Sequence, residues 1–332
     1  MTYQNARALL AALGVYFLSQ IVIAGAPVID SSTSSAFTTL PAPTGPFAVG
    51  KITAHWTDES RIEPLSPNHE PRELMVDIWY PAEPSNGVPV AYLDTAAYQR
   101  ALGDDGFRNQ FGNASETIKE GVRTHAVAGA PYSLSAGPSP VLIFSPGGGM
   151  VREVYAAQLE DLASHGYVVA AISHPYDAIV TSFPDGRQIA YSSQRWPKPP
   201  SLEGEANLMS SKWQRRRASH IRAAQLIQNV ARLDAYQDTA LRSTGKGGYR
   251  IRLRNNITTH MDFSDLPALG AHDRVDAERR AAILAVVRSY TLAFFDKYLR
   301  GVKPELLDET ATGEFVEAVQ KFAPAKSPCA SQ

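Results

Sequence analysis

The sequence has a single cysteine, Cys329, and no marked excess of charge of either sign. One cysteine cannot form a disulfide within the chain, and thiol catalysis would need a reactive C-terminal tail, so both are excluded. The 32 Lys and Arg residues against 33 Asp and Glu give no indication of a polyanionic partner. The one basic cluster is typical of a solvated helix start, and no nucleic-acid partner is predicted. That cluster comprises Lys212, Arg215, Arg216 and Arg217.

No group of Cys or His residues has the spacing of a zinc site, and the eight histidines are scattered along the chain. We therefore expect no metal and no other cofactor. With 44% apolar and 20% charged residues in 332, the chain is typical of a globular protein large enough for one big α/β domain.

An uncharged run of 22 residues, 8–29, lies near the N-terminus and contains the small-x-small pattern Ala24-Gly25-Ala26. This pattern predicts a signal peptide over residues 1–26 and a secreted protein. The run is also long enough for an uncleaved membrane anchor through residues 8–29, which is the alternative. Residues 27–46, rich in Ser, Thr and Pro, are predicted to form a linker.

The clearest structural pattern is a strand, glycine loop, helix and strand over residues 140–178. Residues 140–144 form an apolar run without alternation, as expected of a strand buried on both faces of a parallel sheet. The Gly147–Gly149 loop has no Cβ atoms, so its backbone N–H groups can approach a ligand anion. Gly166 is placed to end the helix, and residues 167–172 form the second buried strand. The unit predicts an α/β fold with a mostly parallel sheet flanked by helices.

Apolar periodicity predicts further elements on both sides of this unit. The strands are expected at residues 47–55, 74–80 and 249–253, and the helices at residues 219–233, 275–300 and 313–322. The first two strands are expected to pair as an antiparallel edge, and Gly301 to end the long helix. The polar residues 58–72 between the two strands are interpreted as a connection, and residues 82–137 as an excursion without assigned elements.

Seven segments, in order from residue 40 to residue 301, resemble the platelet-activating-factor acetylhydrolase family. They read LPAPTGPFAVG, RELMVDIWYPAEP, VLIFSPGGG, LEDLASHGYVVAAISHPYDA, FPDGR, THMDFSDLP and YTLAFFDKYLRG. The resemblance implies one lipase-like α/β-hydrolase domain, here over residues 47–322. It also implies hydrolysis of acetyl or oxidised acyl esters at the sn-2 position of phospholipids, and a peripheral contact with a lipid surface.

The resemblance also assigns two site residues. His260, in the THMDFSDLP segment, matches the catalytic acid and base, and Gly148 matches the backbone N–H donor of the oxyanion hole. The alternative for His260 is a structural histidine that caps or packs beneath the turn at residues 265–269.

The nucleophile of this fold lies in a G-x-S-x-G turn. No serine in the chain has a glycine both two residues before it and two residues after it. The serines with only the later glycine include Ser135, Ser145, Ser164 and Ser243. Between the helix at 219–233 and His260 the only carboxylates are Asp234 and Asp238, both at a helix end. The sequence therefore offers no nucleophile and no triad acid.

The short distance between two predicted elements explains why the nucleophile and the triad acid are missing. Only 14 residues, 235–248, separate the predicted helix and strand where two βαβ units of about 30 residues each are expected. We infer an internal deletion near residues 234–249, which removes the strands that carry Ser and Asp. Such a loss is expected to leave Leu142 and Val169 without neighbours and to expose a sheet edge. The chain is then an esterase by ancestry and inactive as written, and the alternative is a non-catalytic lipid-binding or interaction protein.

Overall fold

The computed structural model describes residues 38–195, 248–254, 256–308 and 313–322. The predicted signal peptide, the basic cluster, the helix at 219–233 and nearly all of the seam at 234–249 lie outside these ranges. Within them, no helix has both the length and the apolar character needed to span a membrane.

A seven-stranded mixed sheet forms the centre of the molecule, in the order β1-β5-β2-β3-β7-β6 with β4 paired to β5. Its strands are β1 Thr38–Thr39, β2 Ala48–Ile62, β3 Pro71–Ala82, β4 Pro89–Ala91, β5 Val122–Ala128, β6 Val141–Phe144 and β7 Val168–Ser173. The β1–β5, β2–β5 and β6–β7 pairs are parallel. The β2–β3, β3–β7 and β4–β5 pairs are antiparallel.

Helices and two small ladders surround this sheet. The helices are α1 Thr95–Phe111, α2 Ser115–Glu120, α3 Ala156–Ser164, α4 Leu266–Leu269, α5 Arg274–Phe295 and α6 Glu305–Asp308. The ladders pair β8 Val180–Ser182 with β9 Gln188–Ala190, and β10 Gly248–Leu253 with β11 Val316–Phe322. Short 3-10 turns at Arg152–Tyr155 and His260–Phe263 bear on the site, and one π turn, Asp296–Arg300, follows α5.

The predicted β6–loop–α3–β7 unit is confirmed. β6 and β7 are parallel neighbours, with Leu142 paired to Val169. Gly166, with φ of +87°, ends the helix in the backbone region that glycine tolerates best. Leu159 of α3 is fully buried with Trp79 in the main core. Together with the flanking helices, this unit confirms the α/β-hydrolase-like fold class.

Three expectations about strands need correction. β2 and β3 do pair in antiparallel fashion but are interior strands, because β5 covers one side of the hairpin and β7 the other. The hairpin also extends into the predicted connection, since β2 runs to Ile62 and β3 starts at Pro71. Residues 316–322 form β11 rather than a helix, because the backbone of β10 supplies an antiparallel partner that the local pattern does not reveal.

The expected exposure of Leu142 and Val169 is wrong, because both side chains are buried in the main core. The other face of β6 is the exposed one, with Ile143 75% and Val141 44% accessible. Among the described strands β6 has β7 as its one neighbour and so forms one edge of the sheet that they make. The deletion inferred from the sequence stays a prediction.

The last part of the predicted linker packs on the domain. Leu40 is buried, and the Thr44 N–H donates to Asp161 Oδ1 of α3 at 2.8 Å. Arg288 of α5 holds the same carboxylate and also donates to the Ala42 carbonyl at 2.9 Å. The folded domain therefore includes the chain from at least Thr38.

Candidate functional site

The glycine loop between β6 and the start of α3 presents an unused backbone donor. The Gly149 N–H donates to the Asp177 carbonyl at 3.0 Å, and the Met150 N–H donates to the Gly147 carbonyl at 2.9 Å. Gly149 has a φ of +77°, a conformation that favours glycine. Gly148 is exposed, and no acceptor in the described part of the chain receives its N–H. The Gly148 N–H is therefore a surface donor without an acceptor among the described residues, and its role in an oxyanion hole stays a prediction.

A buried ion cluster lies under this loop. Asp77 of β3 is 2.9 Å from both Arg152 Nε and Lys51 Nζ, and it accepts a 2.7 Å hydrogen bond from Thr53. Burial alone would raise the pKa of Asp77, but the charges of Arg152 and Lys51 outweigh it and hold the pKa well below its usual value. Because Arg152 follows the loop closely, the cluster fixes the backbone that carries Gly148.

His260 begins a 3-10 turn that a capping box holds in place. The Thr259 N–H and hydroxyl both donate to Asp262 Oδ2, and Arg280 of α5 donates to Asp262 Oδ1 at 2.9 Å. Asp262 is 3% exposed, so this anchor is buried while His260 itself is exposed. The THMD sequence carries the signal of the capping box, which sequence reasoning did not use.

Asp265 connects the His260 segment to the start of α3. Its N–H donates to the Val154 carbonyl at 2.7 Å, and its carboxylate accepts the Ala157 N–H at 3.2 Å. Burial raises the pKa of Asp265 well above its usual value. Since the glycine loop also leads into α3, the structure brings the segments of both predicted site residues to the same end of one helix.

The imidazole of His260 has no hydrogen-bond partner among the described residues, and His260 is exposed. Both assignments of His260, as the catalytic acid and base and as a structural histidine at the turn of residues 265–269, stay predictions. Asp234 and Asp238 lie outside the described residues.

The serines that precede a glycine have other roles where they are described. The Ser135 hydroxyl is 2.7 Å from the hydroxyl of Ser133. Ser164 is buried and donates to the Asp161 carbonyl at 2.7 Å. Ser243 lies outside the described residues.

Ser145 forms a serine–histidine pair that sequence reasoning missed. Its hydroxyl is 2.8 Å from His174 Nε2. Ser145 directly follows β6, and His174 directly follows β7. Because these strands are parallel neighbours, their pairing could have predicted that the two residues lie close together. Arg72 Nη2 of β3 lies 3.4 Å from the other ring nitrogen, His174 Nδ1.

An apolar cavity of about 290 Å³ lies beside the His260–Phe263 turn. It is bounded by β10, by α5 and by Phe263, three residues after His260. Its lining is almost wholly apolar, the polar members being Gln158 and Thr291, which hydrogen-bond to each other at 3.1 Å. The volume and lining suit an aliphatic ligand.

Comparison with known proteins identifies a related family. The family profile of platelet-activating factor acetylhydrolase, isoform II, matches residues 32–259, more than half of the chain, and stops just before His260. A probable 1-alkyl-2-acetylglycerophosphocholine esterase of Arthroderma benhamiae is 31% identical over 191 residues, which are 53% of this chain and 47% of that protein. A platelet-activating factor acetylhydrolase of Cavia porcellus is 27% identical over 155 residues, 46% of this chain and 32% of that protein.

The chain thus spans about half or less of the curated relatives that it matches. Among solved structures, a ferulic acid esterase from Streptomyces cinnamoneus aligns with a TM-score of 0.60 and 26% identity. That alignment covers 86% of this chain and 99% of the esterase.

Proposed function

The chain belongs to the platelet-activating factor acetylhydrolase family, and from that premise we propose that it derives from an esterase of short or oxidised sn-2 acyl groups on phospholipids. Esterase chemistry is common to the family and to the related proteins. The finer substrate class rests on the names of the two curated relatives.

In the complete mechanism, a serine attacks the acyl carbonyl, His260 takes and returns its proton, and the Gly148 N–H binds the oxyanion. The last two parts are retained in this chain. We propose that the first was lost in a deletion near residues 234–249, so the chain as written does not turn over. The observation that carries this proposal is the exposed imidazole of His260, which has no hydroxyl beside it among the described residues. Loss of the serine lowers kcat by about 10⁶ in a triad enzyme.

The test is hydrolysis of a phospholipid with an sn-2 acetyl group by the purified chain and by His260→Ala. We expect equal rates, both at the level of a denatured control. A rate for the parent chain clearly above that of His260→Ala would contradict the proposal. Ser145→Ala serves as a further variant, and its rate should also equal that of the parent, because Ser145 does not lie in a G-x-S-x-G turn.

The second candidate is a non-catalytic lipid-binding or interaction protein, and the apolar cavity beside Phe263 favours its lipid-binding form. Titration with a fluorescent short-chain phospholipid tests it. The chain should bind, and Val286→Trp, which places a large side chain against the cavity, should weaken binding. Undiminished binding would exclude this cavity as the lipid site.

The location of the protein is part of the proposal. We propose secretion after removal of residues 1–26, with anchoring through residues 8–29 as the alternative, together with a peripheral contact with a lipid surface. N-terminal sequencing of material from the medium distinguishes the first two: a new N-terminus near residue 27 supports cleavage, and an uncleaved chain in the membrane fraction supports the anchor.

A further inference from the structure

Two asparagines of the chain lie in the sequence pattern that accepts N-linked oligosaccharides. The pattern is Asn-x-Ser/Thr, and it occurs as Asn113-Ala114-Ser115 and as Asn256-Ile257-Thr258. The mechanism proposed above uses neither asparagine. The pattern alone does not select one of the two, but their surroundings in the folded chain differ.

Asn113 is in close contact with the residues around it. It lies in the 3-10 turn Gly112–Ala114 between α1 and α2, and its Nδ2 atom, to which a sugar would be bonded, is 3.2 Å from His272 Nε2. The backbone of Gly270 packs so closely that a Cβ atom added there would lie 3.0 Å from Asn113 Cβ. Ser115, which supplies the hydroxyl of the pattern, is 4% exposed. A glycan at Asn113 would therefore have to break contacts of the folded chain.

Asn256 makes no such contacts. It is exposed, and its side chain has no hydrogen-bond partner in the part of the chain that the structure describes. The turn that carries it is fixed through one acceptor, the Arg254 carbonyl. This oxygen accepts the Ile257 N–H at 3.2 Å, the Thr258 N–H at 3.0 Å and the Thr258 hydroxyl at 2.7 Å. Because the turn is held without the Asn256 side chain, Asn256 Nδ2 is available for a bond to a sugar.

We propose that Asn256, and not Asn113, carries an N-linked glycan. In the transfer, a bond forms between Asn256 Nδ2 and the anomeric carbon of an oligosaccharide supplied on a lipid diphosphate carrier. The bond from that carbon to the diphosphate breaks, and the amide proton leaves with the carrier. This inference rests on the proposed secretion, because the transfer takes place as a chain enters the eukaryotic secretory pathway. The fold then has to accommodate the glycan, and the surroundings of Asn256 allow this.

A glycan at Asn256 lies beside the candidate site. Leu253, which lines the apolar cavity, precedes Asn256 by three residues, and His260 follows it by four. Even a fully extended chain limits these two separations to about 11 Å and about 14 Å. Phe263, a further apolar residue of the cavity wall, is 49% exposed. A bulky, hydrophilic glycan at this position shields apolar surface from other protein molecules and so keeps the chain soluble.

Expression of the full chain in a eukaryotic secretory host, followed by glycan mapping of the protein from the medium, tests the proposal. Peptide:N-glycosidase releases the glycan and converts the modified asparagine to aspartate, and peptide mass spectrometry then locates the converted position. We expect conversion at residue 256 and none at residue 113. The enzyme should also increase the gel mobility of the parent chain, and Asn256→Gln should abolish this mobility shift completely.

Asn113→Gln is the matched control and should keep the whole mobility shift. Thr258→Ser, which retains the hydroxyl of the pattern, should also keep it, whereas Thr258→Ala should lose it. An unmodified Asn256 in the secreted chain, or a glycan on Asn113, overturns the proposal. A chain that stays in the cytosol without a glycan overturns it too, and its uncleaved N-terminus then shows that secretion itself failed. Because glycan mapping needs no hydrolysis, these results are independent of the ester assay of the proposed function.

Discussion

Replacement of Arg152 by methionine tests the ion cluster beneath the glycine loop. Asp77 is 1% exposed, and Arg152 → Met would leave this carboxylate with Lys51 as its one remaining cation. Removing one partner of a buried ion pair lowers the free energy of unfolding by about 3–5 kcal/mol. With a urea m-value of about 1–3 kcal/mol/M, the unfolding midpoint should fall by roughly 1–5 M.

Urea unfolding followed by tryptophan fluorescence measures this effect. The control Arg279→Met removes an exposed ion pair with Asp276 and should change the free energy of unfolding by about 1 kcal/mol or less. A loss in Arg152→Met no larger than in the control would refute the assignment of the cluster as an anchor.

The pH dependence of the same experiment follows from the lowered pKa of Asp77. A depressed carboxyl pKa stabilises the folded state above the unfolded pKa of about 3.9, and the contribution is lost as the pH falls through the folded value. The difference between the chain and Arg152→Met should therefore be constant at neutral pH and shrink in strong acid. A difference that grows on acidification would contradict this account.

Further predictions concern the rest of the site and the open sheet edge. Asp262→Asn should destabilise the chain by about 1–3 kcal/mol in urea unfolding, because it weakens the buried cap of the His260 turn. Because the pKa of Asp265 is raised in the folded state, the folded chain should lose stability as the pH rises above about 4. In Asp265→Asn this loss of stability with pH should be smaller. Ile143→Lys should reduce aggregation in light scattering, because a lysine on edge strand β6 opposes strand pairing. Genomic reads should encode an additional strand–turn–helix between codons 234 and 249 that the present sequence omits.

Each of these has an outcome that would contradict it. Stability of Asp262→Asn equal to the parent would mean that Arg280 does not hold the turn. An unchanged pH slope in Asp265→Asn would place the titrating group elsewhere. Equal scattering by Ile143→Lys and the control Val275→Lys, with Val275 72% exposed on α5, would exclude β6 as the aggregation site. Genomic sequence that runs uninterrupted from codon 234 to codon 249 would contradict the inferred deletion.

Local patterns predicted the elements whose neighbours are close in sequence. The β6–loop–α3–β7 unit was recognisable because its parallel strands are joined by one helix, and the long α5 because its apolar face repeats over several turns. The interior position of β2 and β3 was not predictable in this way, because it depends on β5 and β7, which are distant in sequence. β11 was misjudged for the same reason, since its partner β10 lies more than 60 residues earlier.

In the candidate site, too, single residues could be predicted from the sequence, whereas contacts between distant segments could not. The resemblance predicted roles for His260 and Gly148, which stay predictions, and the structure adds the groups around them: the capping box of Asp262 and the ion cluster around Arg152. The Ser145–His174 pair was invisible to motif reasoning because its members follow two different strands. Arg72, from a third strand, lies beside the same imidazole.

Labelling with a fluorophosphonate tests the central claim most directly, because the reagent modifies a serine only when a base activates it. The folded chain is incubated with the reagent beside an active serine esterase and analysed by intact mass. We predict no adduct on this chain under conditions that label the esterase completely. A stoichiometric adduct on one serine, lost in His260→Ala, would show that a nucleophile is present after all.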